Sequence, residues 1–126
     1  MPHVFEYALV RAVPRAERGE FMNVGAIVYC APLRYLRCRT HVDPARLRAL
    51  DPAIDLDVLA AALRSWSQSC EAGMTAEGTP GQRFRWLTAP RSTIVRTSPA
   101  HTGLTDDPDA ELDRLMGTHV LVETAP

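Results

Sequence analysis

Lysine does not occur in this chain; all fourteen basic residues are arginine. Its absence excludes every chemistry built on an amine side chain: the P-loop lysine, the kinase lysine and Schiff-base catalysis. Arginine remains, permanently charged and suited to bidentate binding of carboxylate or phosphate. No run approaches the ~20 apolar residues needed to span a bilayer, and no basic-then-apolar leader opens the chain. A cytoplasmic location is the resulting expectation. Cysteine is scarce too. Cys30, Cys38 and Cys70 are odd in number, lie among apolar neighbours and include no C-x-x-C pair. Buried free thiols are expected, with neither a disulfide framework nor a zinc site. The nucleophile elbow G-x-S-x-G, the metalloprotease H-E-x-x-H and the dinucleotide G-x-G-x-x-G are all missing. A net charge of −1 argues against any general attraction to nucleic acid.

What is present reads as an ordinary globular protein, 46% apolar and 23% charged, so a packed core and not disorder is expected. With 126 residues the chain suits a single domain over 1–126. Residues 4–13 carry apolar side chains on both faces, which predicts a strand covered on both sides. Pro14 ends it. Residues 24–30 read as a second interior strand, and residues 35–42 as a half-buried one with Arg37, Arg39 and His41 outward. Asp43-Pro44 predicts a capped helix to Leu50. Asp55 caps a longer helix whose apolar face is Leu56, Leu59, Leu63, Trp66 and Cys70, with Gly73 as its stop. Residues 73–82 read as a loop, 83–89 as a short helix, 92–97 as a fourth strand and 98–108 as a loop. Asp107-Pro108 opens the last helix, with Leu112, Leu115 and Met116 inward. Trp66 and Trp86 both read as packing residues. Strands first and helices mostly afterwards predict an α+β domain: a mainly antiparallel sheet of about four strands packed against two or three helices.

Two constellations could carry chemistry. The first is the charged stretch "PRAERGEFMNVG". In one reading Arg18 binds an anion, Glu20 orients it or acts as base, and Asn23 donates hydrogen bonds. In the other, favoured reading, the stretch is a structural joint: Glu20 pairs with Arg11 or Arg18, Asn23 makes a turn, and Gly25 permits a bulge or close approach. The second is "PRSTIVRTSPAHTG", where His101 sits near Ser98, Thr102 and Arg91 in a loop that could hold a proton carrier. The bland alternative is a turn stabilised by Ser98, Thr102 and Gly103. His101 and Glu20 are therefore weak catalytic candidates, and Arg11, Arg18, Glu20, Asn23, Arg91 and His101 are the binding candidates. Asp43 in "HVD" is better explained as a helix cap than as a metal ligand. No metal and no cofactor is expected.

The blocks "YALVRAVPRAERGEFMNVGAIVYC", "LRCR" and "TDDPDAELDRLM", in that order, resemble the bacterial family DUF3037 over nearly the whole chain. The segment around Arg11, Arg18, Gly19, Glu20, Asn23 and Gly25 carries most of the resemblance. The family brings no established reaction, so no catalytic residue is carried over. The resemblance implies a compact bacterial domain and, because relatives are encoded beside HipA-like kinases, a protein partner of that kind or a neighbouring biosynthetic enzyme. The leading expectation is a non-catalytic accessory or regulatory protein acting through protein–protein interaction. The alternative is a small enzyme or ligand-binding protein for a phosphate- or carboxylate-bearing substrate, using the Arg18/Glu20/Asn23 loop and His101.

Overall fold

Pro14, Pro44, Pro80 and Pro108 punctuate the chain, each just after a strand or just inside a helix. The fold is seen in a computed structural model that describes residues 1–71, 78–91 and 93–122. Strand β1 spans His3–Ala12, β2 Met22–Cys30 and β3 Tyr35–Thr40. Helices α1 (Pro44–Leu50), α2 (Leu56–Glu71) and α3 (Pro80–Leu87) follow. Then come two short strands, β4 (Val95–Thr97) and β5 (His101–Thr105). Helix α4, Pro108–Leu115, continues without a break into a π-helical turn, Met116–Val120. The expected α+β class is what the structure has, with an antiparallel sheet of five strands and four α-helices.

The sheet order is β3-β2-β1, with β4 and β5 end to end along the remaining edge of β1. The fifth strand comes from residues expected to be loop. Its sequence, HTGLT, places glycine and threonine where an apolar alternation would announce a strand, so pairing with β1 decides its conformation. Gly103 is needed there, because a Cβ would meet the Phe5 ring at 2.7 Å. The expected loop over 73–82 also yields in part: α3 begins at Pro80, after a Thr79 capping box closed by Gln82. Residues 73–77 of that loop, with Gly73, lie outside the described residues, as does Ser92 of the expected fourth strand.

Each sheet face carries its own core. On the first face Ala8, Val10 and Ala12 of β1 are fully buried beneath Leu47 of α1, Leu59 and Leu63 of α2, and Phe84 and Leu87 of α3. On the second face Phe5, Ala26, Val28 and Cys30 pack against Leu112, Leu115, Met116 and Val120. Caps hold the helices as the sequence indicates. Asp43, Asp55 and Asp107 each accept from a backbone N–H of the following first turn, worth about 1 kcal/mol apiece. Trp66 is buried and donates its indole N–H to the Leu87 carbonyl at 3.2 Å. Trp86 is not a packing residue: Phe84 and Leu87 take the inward face of α3, which leaves Trp86 58% exposed. The three cysteines are buried free thiols.

Candidate functional site

The charged stretch after β1 forms one turn of 3-10 helix, Ala16–Arg18, closed by Gly19 in the left-handed conformation at φ 67°. That φ suits glycine because any other L-residue would crowd its Cβ against the backbone. Arg18 Nε donates to Glu20 Oε1 at 2.5 Å, but the side chains remain 61% and 43% exposed. Glu20 raises the Arg18 guanidinium pKa by accepting this hydrogen bond. The expected Arg–Glu joint between two core strands is therefore corrected: the pair exists, but it lies in water within its own turn. Arg15 pairs with Asp51 at the end of α1, at 3.6 Å. A shallow cavity of about 250 Å³ lies between the turn and α1, lined by Arg15, Arg18, Glu20 and Asp51. Both of its arginines already face a carboxylate.

Gly25 performs both tasks expected of it. The β1–β2 register shifts between Val10 and Arg11, so that Val10 faces Gly25 while Arg11 faces Asn23. A Cβ on Gly25 would collide with the Arg39 carbonyl of β3. The bulge turns Asn23 towards the second face, where its Nδ2 donates to the His119 carbonyl of the π-helical turn at 3.2 Å. Asn23 therefore ties the end of α4's extension to the sheet and makes no turn of its own. Its Oδ1 is buried without a hydrogen-bond partner among the described residues, as is Arg11 Nε.

Arg11 is the residue whose surroundings differ most from a routine surface arginine. Its guanidinium lies 4.1 Å from the centre of the Phe21 ring, a stacking distance at which the ring quadrupole attracts the cation. On its other side Arg11 is in register with Arg96 of β4. Directly opposite residues of an antiparallel pair project to the same face, so Asn23, Arg11 and Arg96 form one row across three strands. Arg96 donates its Nε to the Thr93 carbonyl at 3.1 Å. Neither Arg11 nor Arg96 has an ion-pair partner among the described residues.

His101 is exposed on β5, in register with Tyr7, and its ring lies 5.3 Å from the tyrosine ring. Four residue steps along β1 separate Tyr7 from Arg11, roughly 14 Å at about 3.4 Å per residue. Both project to the second face, with Leu9 between them. The 3-10 turn with Arg18 and Glu20 lies further on, past the end of β1. The structure thus puts His101 and Arg11 on one face and does not gather His101 with Glu20. Arg91 belongs to the opposite layer, its guanidinium 4.1 Å from the Trp86 ring centre and its Nη2 on the Trp86 carbonyl. Ser98 makes neither a site nor a free turn. It is buried at the break between β4 and β5, where Oγ accepts from Leu9 N at 2.9 Å and donates to the Pro99 carbonyl at 3.0 Å.

Helix α4 and its π-helical extension lie over β2 and β3. Tyr35 and Arg39 of β3 bind Asp109 and Asp113 and hold the helix there. Tyr7, Leu9, Arg11 and Arg96, on the β1 side, are left half-buried, flanked by exposed His101 and by Phe21, which is 46% exposed. Sequence reasoning picked out Arg11, Asn23 and His101 from this strip but missed Arg96, Phe21 and the role of Tyr7. The signal for Arg96 was the alternation of Val95 and Thr97 around it, which fixes its face once β4 is paired with β1. A larger cavity of about 600 Å³, lined by Arg34, Arg37, Arg83, Glu71 and Cys70, contains none of the catalytic or binding candidates. Groups of three or more metal-ligating side chains do not occur among the described residues, and no helix among them is long and apolar enough to cross a membrane.

No curated protein and no solved structure matches this chain. The family model does: with residues 7–120 matched, from the middle of β1 to the end of the π-helical turn, the chain belongs to the family described as protein of unknown function DUF3037.

Proposed function

We propose that this protein is a non-catalytic accessory or regulatory module that works by binding another protein. The observation that carries this reading is the half-covered second face of the sheet. One helix shields β2 and β3 there, while Tyr7 and Leu9 stay half-buried between exposed Phe21 and His101. A strip of aromatic and apolar side chains with arginine at one end has the composition of a protein interface. The polar groups with catalytic potential do not converge: Glu20 is held by Arg18, and the His101 ring lies tilted against Tyr7 at the β1–β5 pairing. The resemblance of the sequence favours a bacterial source and a HipA-like kinase or neighbouring biosynthetic enzyme as the partner to test first.

The test is affinity capture from the native cell, followed by reconstitution of the captured protein with the purified module and calorimetry. A complex of fixed stoichiometry is the expected result. Failure of every captured candidate to bind once purified would remove the reading.

The enzymatic alternative has one supporting observation, the cavity beside Arg18 and Glu20. Since Glu20 and Asp51 already neutralise its arginines, it suits an anionic substrate poorly. Titration with inorganic phosphate, read at the backbone amides of residues 14–20 and 50–52, decides whether it binds one.

A further inference from the structure

Two half-buried arginines side by side, with no acid beside them among the described residues, repel each other; such an arrangement is completed by an anion. Arg11 and Arg96 stand in this relation on β1 and β4. The Phe21 ring covers the face of the Arg11 guanidinium, which leaves the edge, where the N–H donors lie, to meet a carboxylate in its plane. Among the described residues, Arg96 spends only its Nε, on the Thr93 carbonyl. Along β1 from this pair the same face continues through Leu9 to Tyr7, against which the His101 ring lies tilted. A cationic end and an apolar, aromatic run lie along one strand direction.

We infer that the strip from Tyr7 through Leu9 to Arg11 and Arg96 receives an acidic segment of a partner protein, a carboxylate on the two guanidiniums and apolar side chains on Leu9 and Tyr7. The occupant follows from charge complementarity. The whole chain is close to neutral at −1 and supplies no general field, so a local arginine pair selects a local acidic group. The apolar run beyond it favours a peptide over a free small anion, which would leave in water the parts of Leu9 and Tyr7 that the second-face core does not cover. This rests on the interaction-module reading and names the partner's chemistry.

The experiment is a nuclear magnetic resonance titration of the whole 15N-labelled chain with a capped peptide of about eight residues alternating glutamate and leucine, enough to span the strip. Its glutamine counterpart, free glutamate and inorganic phosphate form the comparison arms. The expected result is saturable shifts at residues 7–11 and 95–101 with the acidic peptide, weakened by added salt. Arg11→Gln and Arg96→Gln should each reduce affinity by about tenfold or more while keeping the spectrum of a folded chain. Should Arg11→Gln unfold, Arg11→Lys keeps the charge, removes the planar fork and should still weaken binding. Equal binding of the glutamine peptide, shifts elsewhere or none, or saturation of the same residues by phosphate or glutamate alone would each overturn the inference. A native partner that binds wild type and Arg96→Gln equally would remove this site and leave the module reading intact.

Discussion

Arg11 and Arg96 face each other across β1 and β4 as a like-charged pair, one stacked on Phe21 and the other bonded to the Thr93 carbonyl. Directly opposed like charges destabilise a sheet by a few tenths of a kcal/mol. Arg96→Gln is therefore expected to leave the chemical-denaturation free energy unchanged or raise it by about 0.5 kcal/mol. A loss above about 1 kcal/mol would show that the arginine holds the fold together and give it a structural reason to be there.

Ser98 is expected to matter more than its size suggests. It is buried, and its hydroxyl takes the Leu9 N–H at the point where the edge changes from β4 to β5. Ser98→Ala would leave that N–H without its partner, at a cost of about 1–3 kcal/mol. Ser98→Thr, which keeps the oxygen, should recover part of the loss. Equal stability of the alanine variant and wild type in urea would show that water or backbone movement replaces the bond.

Gly25 and Glu20 lie five positions apart and predict opposite outcomes. Any side chain on Gly25 meets the Arg39 carbonyl of the neighbouring strand, and forcing apart two strands in a packed sheet costs about 1–3 kcal/mol. Gly25→Ala should lower the denaturation midpoint clearly. Glu20→Gln should leave it in place, because its ion pair is exposed. The reverse order would restore the idea of a charged joint between β1 and β2.

Alkaline pH is expected to destabilise the fold before it damages the chain. Cys70 hydrogen-bonds with Cys38 and is buried, and both effects push its pKa well above its ordinary value of 9.0. Cys38 takes the lower pKa of the two because the Cys70 thiol donates to its sulfur. Burial, then the hydrogen bond to Asp109, raises the Tyr35 phenol above its ordinary 10.0. For an acid whose pKa is raised by folding, stability is intact below the unfolded pKa. It is lost as pH climbs above that value, since only the unfolded chain releases the proton. Denaturation free energy should therefore fall from about pH 9 upward. Replacing both thiols, Cys38→Ala together with Cys70→Ala, should flatten the fall between pH 9 and 10, since burial would raise the pKa of whichever thiol was left alone. A flat profile to pH 11 in the wild type would contradict these shifts.

Helices α1, α2 and α4 and their caps were legible because each rests on local chemistry; the first turn of α3 and its Thr79 cap were not. Asp43-Pro44 and Asp107-Pro108 determine their own first turns, and the spacing of Leu59, Leu63, Trp66 and Cys70 marks one buried face. β1 and β2 were legible from their unbroken apolar runs. β5 was not, because HTGLT has no pattern of its own and is a strand only through its register with β1. The site divides in the same way. Arg11, Asn23 and His101 stood out as polar residues in unusual places, but that they share a face depends on a bulge and a strand the sequence does not announce. Arg96 looked unremarkable, because its meaning lies in the arginine opposite. Glu20 drew attention through its charge and proved to be an ordinary surface residue.

Hydrogen–deuterium exchange on the complex with the native partner tests the central claim most directly, because it reports where that partner sits. Binding at the open half of the second face predicts slowed exchange at residues 7–11 and 95–101, diminished when Arg96→Gln replaces the wild type. Protection confined to residues 14–20 and 50–52, with β1 and β4 exchanging as in the free protein, would contradict it.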